Sequence, residues 1–181
     1  QRSRGLGDVY KRQVLEEITG IRPVGMRTPS WDFSQSTLSI CKEMGLLYDS
    51  SLMADDEPYE LLEDGEPTGV IELPVEWIRD DAPYLMMDRA TGLRPYTSPN
   101  SVLEIFKSEF DGAFKEGGLF LLTLHPHISG HRSRIVILEE LIDYIKSFPD
   151  VWFATHAEIA QFCKEQAVSY THLRAHETSG Y

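Results

Sequence analysis

Apolar and polar positions in the middle of the chain alternate between short extended runs and amphipathic stretches. Residues 23–26 read as a short extended piece ending at Arg27. Ser34 can cap a helix to about Met44, with Leu38, Cys41 and Met44 inward and Gly45 just past its end. Residues 70–77 set Ile71, Leu73, Val75 and Trp77 against Glu72, Pro74 and Glu76. That is a strand with one wet face, and Pro74 argues for an edge or a bulge. Ser98-Pro99 is a helix start, followed by Val102, Ile105, Phe106, Phe110 and Phe114 at helical spacing and stopped by Gly117-Gly118. Residues 119–124 are almost wholly apolar, as in a strand covered on both faces. Residues 134–147 carry Leu138, Leu141, Ile142 and Ile145 on one helical side. Residues 151–154 read as a last strand, and Thr155 with Glu158 forms a capping box for a helix ending near Lys164.

Strand and helix in alternation with short turns predict a parallel α/β architecture. The strands are too few to close a barrel, and they fit half of one. Residues 53–69 and 78–97 are rich in Asp, Glu, Pro and Gly. They read as long connections, where α/β enzymes carry substrate contacts.

Residues 1–13 and 168–181 show no strand or helix period and are expected to lie extended or loosely against the rest. The strings DVYKRQ and SYTHLRAHET resemble translated sequencing-adapter read-through. The expected organisation is a non-native leader at 1–13, a partial domain at 14–167 and a non-native tail at 168–181. On that reading the i, i+4 pair His172 and His176 belongs to no metal site.

Composition narrows the partners. The chain has 181 residues, 41% hydrophobic and 25% charged, with a formal net charge of −12. So acidic a surface repels nucleic acid and anionic lipid, and neither is an expected partner. The sequence contains no run of 18 or more apolar residues. The two cysteines, Cys41 and Cys163, lack companions at zinc-ligand spacing and read as buried hydrophobes, so a cytoplasmic location is the expectation.

In parallel α/β folds, sites gather at the C-terminal ends of the strands. Arg27, His125 and His156 stand at such ends. His125 leaves an apolar run and Pro126 stops that run, so its ring is aimed by fixed backbone; capping a strand is the plainer alternative. His127 and His131 follow at a spacing that matches no closed metal site and read as solvated. His156, inside a helix cap, reads as structural. Arg27 lies in GMRTPSWDFS, where Pro29 stiffens the loop and Trp31 offers a flat wall. It can hold a carboxylate or an anionic substrate, or it can be a surface arginine. Pro29, Trp31 and His127 are the candidate substrate contacts.

VGMRTPSWDFS resembles the third conserved motif of the polysaccharide deacetylases (carbohydrate esterase family 4), an arginine-x-proline followed by an aromatic. TLHPHISGHRSR resembles the fifth, a strand ending in Leu-His. GLLYDSSLMADDEPYEL, IELPVEWIRDDAPYL and DVWFATHAEIAQFCKEQ are similar to one branch, which holds peptidoglycan-deacetylase-like and allantoinase- or cyclic-imidase-like proteins. The resemblance implies the C-terminal half of a distorted (β/α) barrel. It implies a metal-dependent hydrolase of non-peptide C–N bonds, with a divalent metal, usually zinc, held by one Asp and two His of motifs not found in this chain. In that reading the chain holds no metal ligand and is inactive alone. Arg27 is expected to orient a catalytic base and His125 to act as general acid, held by an aspartate. Asp81 is preferred for that role, with Asp80, Asp49 and Asp56 left open. His131 and Arg132 stand where relatives often carry Gly-Arg-Pro. The implied substrate is an N-acetylated glycan or a small cyclic amide, and a homo-oligomer of the parent stays open. A non-catalytic binding protein on the same scaffold is the other reading. A lectin-like all-β domain is excluded by the helices.

Overall fold

The computed structural model describes residues 2–34, 36–86 and 97–177, with side chains described for 10–34, 36–86 and 97–166. The connection at 87–96 therefore lies outside the described residues. The chain divides into two compact units, residues 1–74 with 154–181, and residues 75–153.

The first unit is built on a four-stranded sheet. Its strands are β1 (Gly25–Met26), β2 (Tyr48–Asp49), β3 (Tyr59–Glu63) and β4 (Glu66–Glu72), in the order β1-β2-β4-β3. β1 pairs β2 and β2 pairs β4 in parallel. β3 pairs β4 antiparallel, so the sheet is mixed rather than wholly parallel. The expected connection at 53–69 is instead mostly this hairpin. Asp64 (φ 53°) and Gly65 (φ 86°) form its two-residue loop, since a right-twisted hairpin wants left-handed backbone at both positions. The Asp-Gly pair was the legible signal.

β4 also corrects the reading of 70–77. The strand ends at Glu72, has neighbours on both edges, and Glu72, Leu73, Pro74 and Val75 are all buried. Pro74 falls past the last ladder residue and costs the sheet no hydrogen bond. Helix α2 (Thr37–Met44) ends at Gly45, whose left-handed φ of 62° closes the cap. It sets Cys41 and Met44 against Leu46, Leu61 and Val70 in the core of this unit.

The described residues near both ends are helical rather than extended. Helix α1 runs Arg2–Thr19, and helix α7 runs His156–Glu177, well past Lys164. The Arg12 guanidinium donates to the Met44 carbonyl. Missing amphipathic period argues against burial of a face; it does not prevent local i to i−4 hydrogen bonds in segments containing Leu, Arg, Glu and Gln. The α7 capping box forms as expected, with Thr155 N donating to Glu158 Oε2 at 2.7 Å and Glu158 N to Thr155 Oγ1 at 3.3 Å.

The second unit is helical. Following α3 (Ala82–Leu85), α4 (Pro99–Glu116) starts at Ser98, whose Oγ accepts from Ser101 N, and ends at left-handed Gly117. After the single turn α5 (Pro126–Ser129), α6 (Arg132–Lys146) packs on α4. Val102, Phe106, Phe110, Ile137, Leu141 and Ile145 form the core between them. The expected strands at 119–124 and 151–154 do not form: of these residues only Thr123 pairs, in a parallel bridge to Asp80. Trp152 and Phe153 are exposed. Apolarity specifies neither a ladder partner nor, at 152–153, burial.

Phe106 is fully buried and carries much of this core. Phe106→Ala is expected to destabilise the protein by about 3–5 kcal/mol in urea unfolding, through lost transfer energy plus the cavity left behind.

Candidate functional site

The two halves of the second unit's site are delivered by parallel extended segments. Thr123 N donates to the Arg79 carbonyl at 2.8 Å and Asp81 N to the Thr123 carbonyl at 3.2 Å. This pairing brings Asp81 and His125 to the same end. His125 Nδ1 lies 2.6 Å from Asp81 Oδ1, and His125 N donates to Asp81 Oδ2 at 3.0 Å. Pro126 then starts α5, and its one turn returns Ser129, whose hydroxyl donates to Asp81 Oδ2. Asp81 is 0% exposed, whereas the His125 side chain is 38% exposed. One buried carboxylate thus fixes both ring and backbone of a histidine that reaches solvent. Such an arrangement orients the imidazole and sets its tautomer, leaving the opposite nitrogen, Nε2, for proton transfer.

Of the aspartates left open by sequence, Asp81 makes the short contact. Asp80 Oδ1 stands 3.8 Å from His125 Nδ1 and accepts from Ala82 N at 2.6 Å. Asp49 is buried in the first unit beside Glu72, and Asp56 is exposed. Ser129 was not anticipated; a serine four residues past a strand-ending His-Pro was the available signal. His127 is exposed, with its ring edge-on to His125 at 5.6 Å between centroids. His131 is exposed ahead of α6.

Asp80, Asp81 and His125 offer ligand atoms within 4.8 Å of one another, the one such group among the described residues that could hold a metal ion. The sequence reading had assigned no metal ligand. The hydrogen bonding does not fit a metal centre. Both Asp81 oxygens accept donors, His125 Nδ1 is turned to Asp81, and Asp80 Oδ1 is taken by a backbone amide. A histidine–aspartate pair describes this group better.

Arg27, in the first unit, sits at the end of β1. Its Nε donates to the Ser50 carbonyl at 2.9 Å and Nη2 to Ser50 Oγ at 2.7 Å. Nη2 is also 3.4 Å from His156 Nε2, and the His156 ring stacks on Tyr48 at 5.6 Å. Tyr48 in turn covers Gly25, where a Cβ would come within 2.2 Å of its ring, so a larger residue there would have to displace that ring. His156, read from sequence as structural, is therefore a direct neighbour of Arg27. Burial, and then the Arg27 charge, push the His156 pKa below its ordinary value. Pro29 is exposed and Trp31 half-buried in a 3-10 turn after Arg27, where Ser30 (φ 55°) and Trp31 (φ 56°) both hold left-handed backbone. Two consecutive non-glycine residues there store strain.

The fold that carries these groups is a mixed α/β one, with a sheet and helices. Comparison with known proteins gives its kin. No family model matches the chain. The chain is 27% identical over 173 residues to the peptidoglycan deacetylase of Helicobacter pylori, covering 82% of this chain and 59% of that protein. It is 27% identical over 180 residues to a peptidoglycan deacetylase-like protein of Gibberella zeae, covering 82% and 53%. Among solved structures, a Mycobacterium smegmatis protein assigned to the polysaccharide deacetylases superposes with a TM-score of 0.78 at 35% identity, over 86% of this chain and 54% of that one. PuuE allantoinase superposes with a TM-score of 0.74 at 26% identity, over 89% and 52%. The chain is related to the polysaccharide deacetylase family over about 82% of its length. It spans between half and three-fifths of the length of these relatives.

The folded protein holds the His156 proton less tightly than the unfolded chain does. This residue therefore favours the native state above its ordinary pKa of 6.5 and withdraws that stability as pH falls below it. An NMR titration should place the His156 midpoint below 6.5, and Arg27→Gln should raise it part of the way, burial being the larger cause. A midpoint at or above 6.5 in the unaltered protein would overturn this account.

Proposed function

We propose that this sequence supplies the proton-donor side of a metal-dependent hydrolase that removes acetyl groups from N-acetylated glycan. The observation that carries this reading is the His125–Asp81 contact of 2.6 Å at the end of paired extended segments, in a chain related to peptidoglycan deacetylases. In amide hydrolysis the carbonyl–nitrogen bond breaks, water adds to the carbonyl carbon, and the departing nitrogen must gain a proton to leave as an amine. His125 Nε2 delivers that proton, while Asp81 holds the ring in place through Nδ1. Ser129 and the His125 amide hold the Asp81 carboxylate in place by donating to Oδ2. On this reading Arg27 orients the catalytic base through its guanidinium and Pro29 and Trp31 are substrate contacts of the first unit, while His127 is a substrate contact of the second. A divalent metal would polarise the carbonyl; its ligands are assigned outside the residues named here, and the complete parent would bear it. These 181 residues alone are then inactive.

The same chemistry serves a cyclic amide, where the leaving nitrogen stays tethered after ring opening. The superposition on PuuE allantoinase over 89% of this chain favours keeping that second reading.

The experiment uses the longest reading frame that contains this sequence. Acetate release from N-acetylated chitooligosaccharide and from peptidoglycan is measured beside ring opening of allantoin. His125→Ala is expected to lower kcat by roughly 10²–10⁴-fold with KM nearly unchanged, and Asp81→Asn to lower it in the same direction. Turnover of allantoin alone moves the assignment to the cyclic amide. Absence of turnover on all three would leave a binding protein on this scaffold.

A further inference from the structure

The least explained chemistry in the first unit is a pair of carboxyl groups in the sheet itself. Asp49 on β2 and Glu72 on β4 are in-register partners across a parallel ladder, so their side chains share a face. Each is 0% exposed. Glu72 Oε1 accepts from the amides of Ser51 and Leu52, both at 2.8 Å. Neither Glu72 Oε2 nor either Asp49 oxygen has a donor in full hydrogen-bond geometry among the described residues, Ser51 being the group that comes near Asp49. Two ionised carboxylates buried side by side repel one another and have lost their hydration. A single proton between them removes one charge and supplies the missing donor.

We propose that Asp49 and Glu72 share one proton, and that the protonated pair makes Glu72 the positioning residue for the loop that seats Arg27. Glu72 holds the amides of Ser51 and Leu52; Ser50, next in line, holds Arg27 through its carbonyl and hydroxyl and donates to the Leu73 carbonyl at 2.7 Å. Thr28 N closes the network on Ser51 Oγ at 2.9 Å. Loss of the proton puts a second charge into this closed space, and the loop that carries the amides is the part with somewhere to go.

The surroundings agree with a retained proton. Burial raises Glu72 to about 8, with Asp49 adding to the rise. Burial also raises Asp49, more than Ser51 and Arg27 lower it. Tyr59 faces Glu72 from β3, with Asp55 nearby in the preceding loop. From α7, His156 stands at Arg27 and Lys164 donates to the Gly69 carbonyl further back along β4. From α2 the charged residues are exposed, Lys42 in a pair with Glu63 and Glu43 beside it. Arg27 is the cation that acts on the pair, and it does not outweigh burial.

The linkage has a definite sign. A carboxyl whose folded pKa lies above its unfolded one stabilises the native state most below the unfolded value, here 4.5, and loses that contribution as pH rises to about 8. The test needs no activity and so stands apart from the proposed function. Carboxyl ¹³C signals of Asp and Glu, amide signals of Ser51 and Leu52, and the Arg27 Nε–H signal are followed in the full chain from acid to alkaline pH. The expected result is a Glu72 midpoint near 8, with the amide and Arg27 signals moving at that same midpoint. Asp49→Asn should lower the Glu72 midpoint by about one unit or more, because a like charge is gone. Glu72→Gln, whose amide can donate to Asp49 and accept from the loop, should hold the Arg27 signal at its low-pH position throughout. Both carboxyls titrating below about 6, or an Arg27 signal indifferent to the Glu72 titration, would overturn the proposal; the unaltered protein decides this even if a variant fails to fold.

Discussion

A carboxylate taken out of water loses hydration worth several kcal/mol, and that loss must be offset by donors in fixed places. This protein buries Asp49, Glu72 and Asp81 completely. For Asp81 the donors are the ring and amide of His125 and the hydroxyl of Ser129. Meeting that need goes with local structure: the segment paired through Thr123 ends at His125, a turn of helix follows, and the fourth residue on presents a hydroxyl. Gly130 closes the turn where a Cβ would meet the Pro126 carbonyl at 2.3 Å. The geometry of the histidine is thus a consequence of satisfying the aspartate.

Helices were legible in proportion to their caps. Ser98-Pro99, Gly117, Gly45 and the Thr155–Glu158 box each mark an end through a specific backbone hydrogen bond, and each stands where the chain turns. Strands were less legible. Residues 119–124 and 151–154 are apolar or aromatic, yet a ladder needs a partner at the right distance, and local sequence says nothing about it. The Asp64-Gly65 hairpin was a local signal, but it was read within an acidic, Gly- and Pro-containing stretch as connection. At the ends, absent periodicity was taken for absent helix, although periodicity reports a buried face and helicity reports backbone bonding.

Site residues followed the same division. His125 and Arg27 stand out because strand ends position side chains, while motif order points to Asp80 and Asp81 together and does not separate them. Ser129, Ser50 and His156 depend on contacts across 23 to 129 residues of sequence, which no spacing encodes. Glu72 was the most misleading. A glutamate alternating with apolar residues reads as a solvent face, and here the alternation was genuine while both faces were covered.

Charge economy ties the Arg27 neighbourhood together. Burial, and then its guanidinium, lower the pKa of His156, and the same guanidinium works against the rise that burial causes at Asp49. A protonated His156 would set two positive groups 3.4 Å apart with little water between them, a cost that the neutral ring avoids by accepting a hydrogen bond instead. The two linkages oppose each other in pH: acid withdraws the His156 contribution below about 6.5, while alkali withdraws the Glu72 contribution up to about 8. Acid thus acts on a group that Arg27 touches and alkali on one that holds its loop, and both shifts follow first from burial.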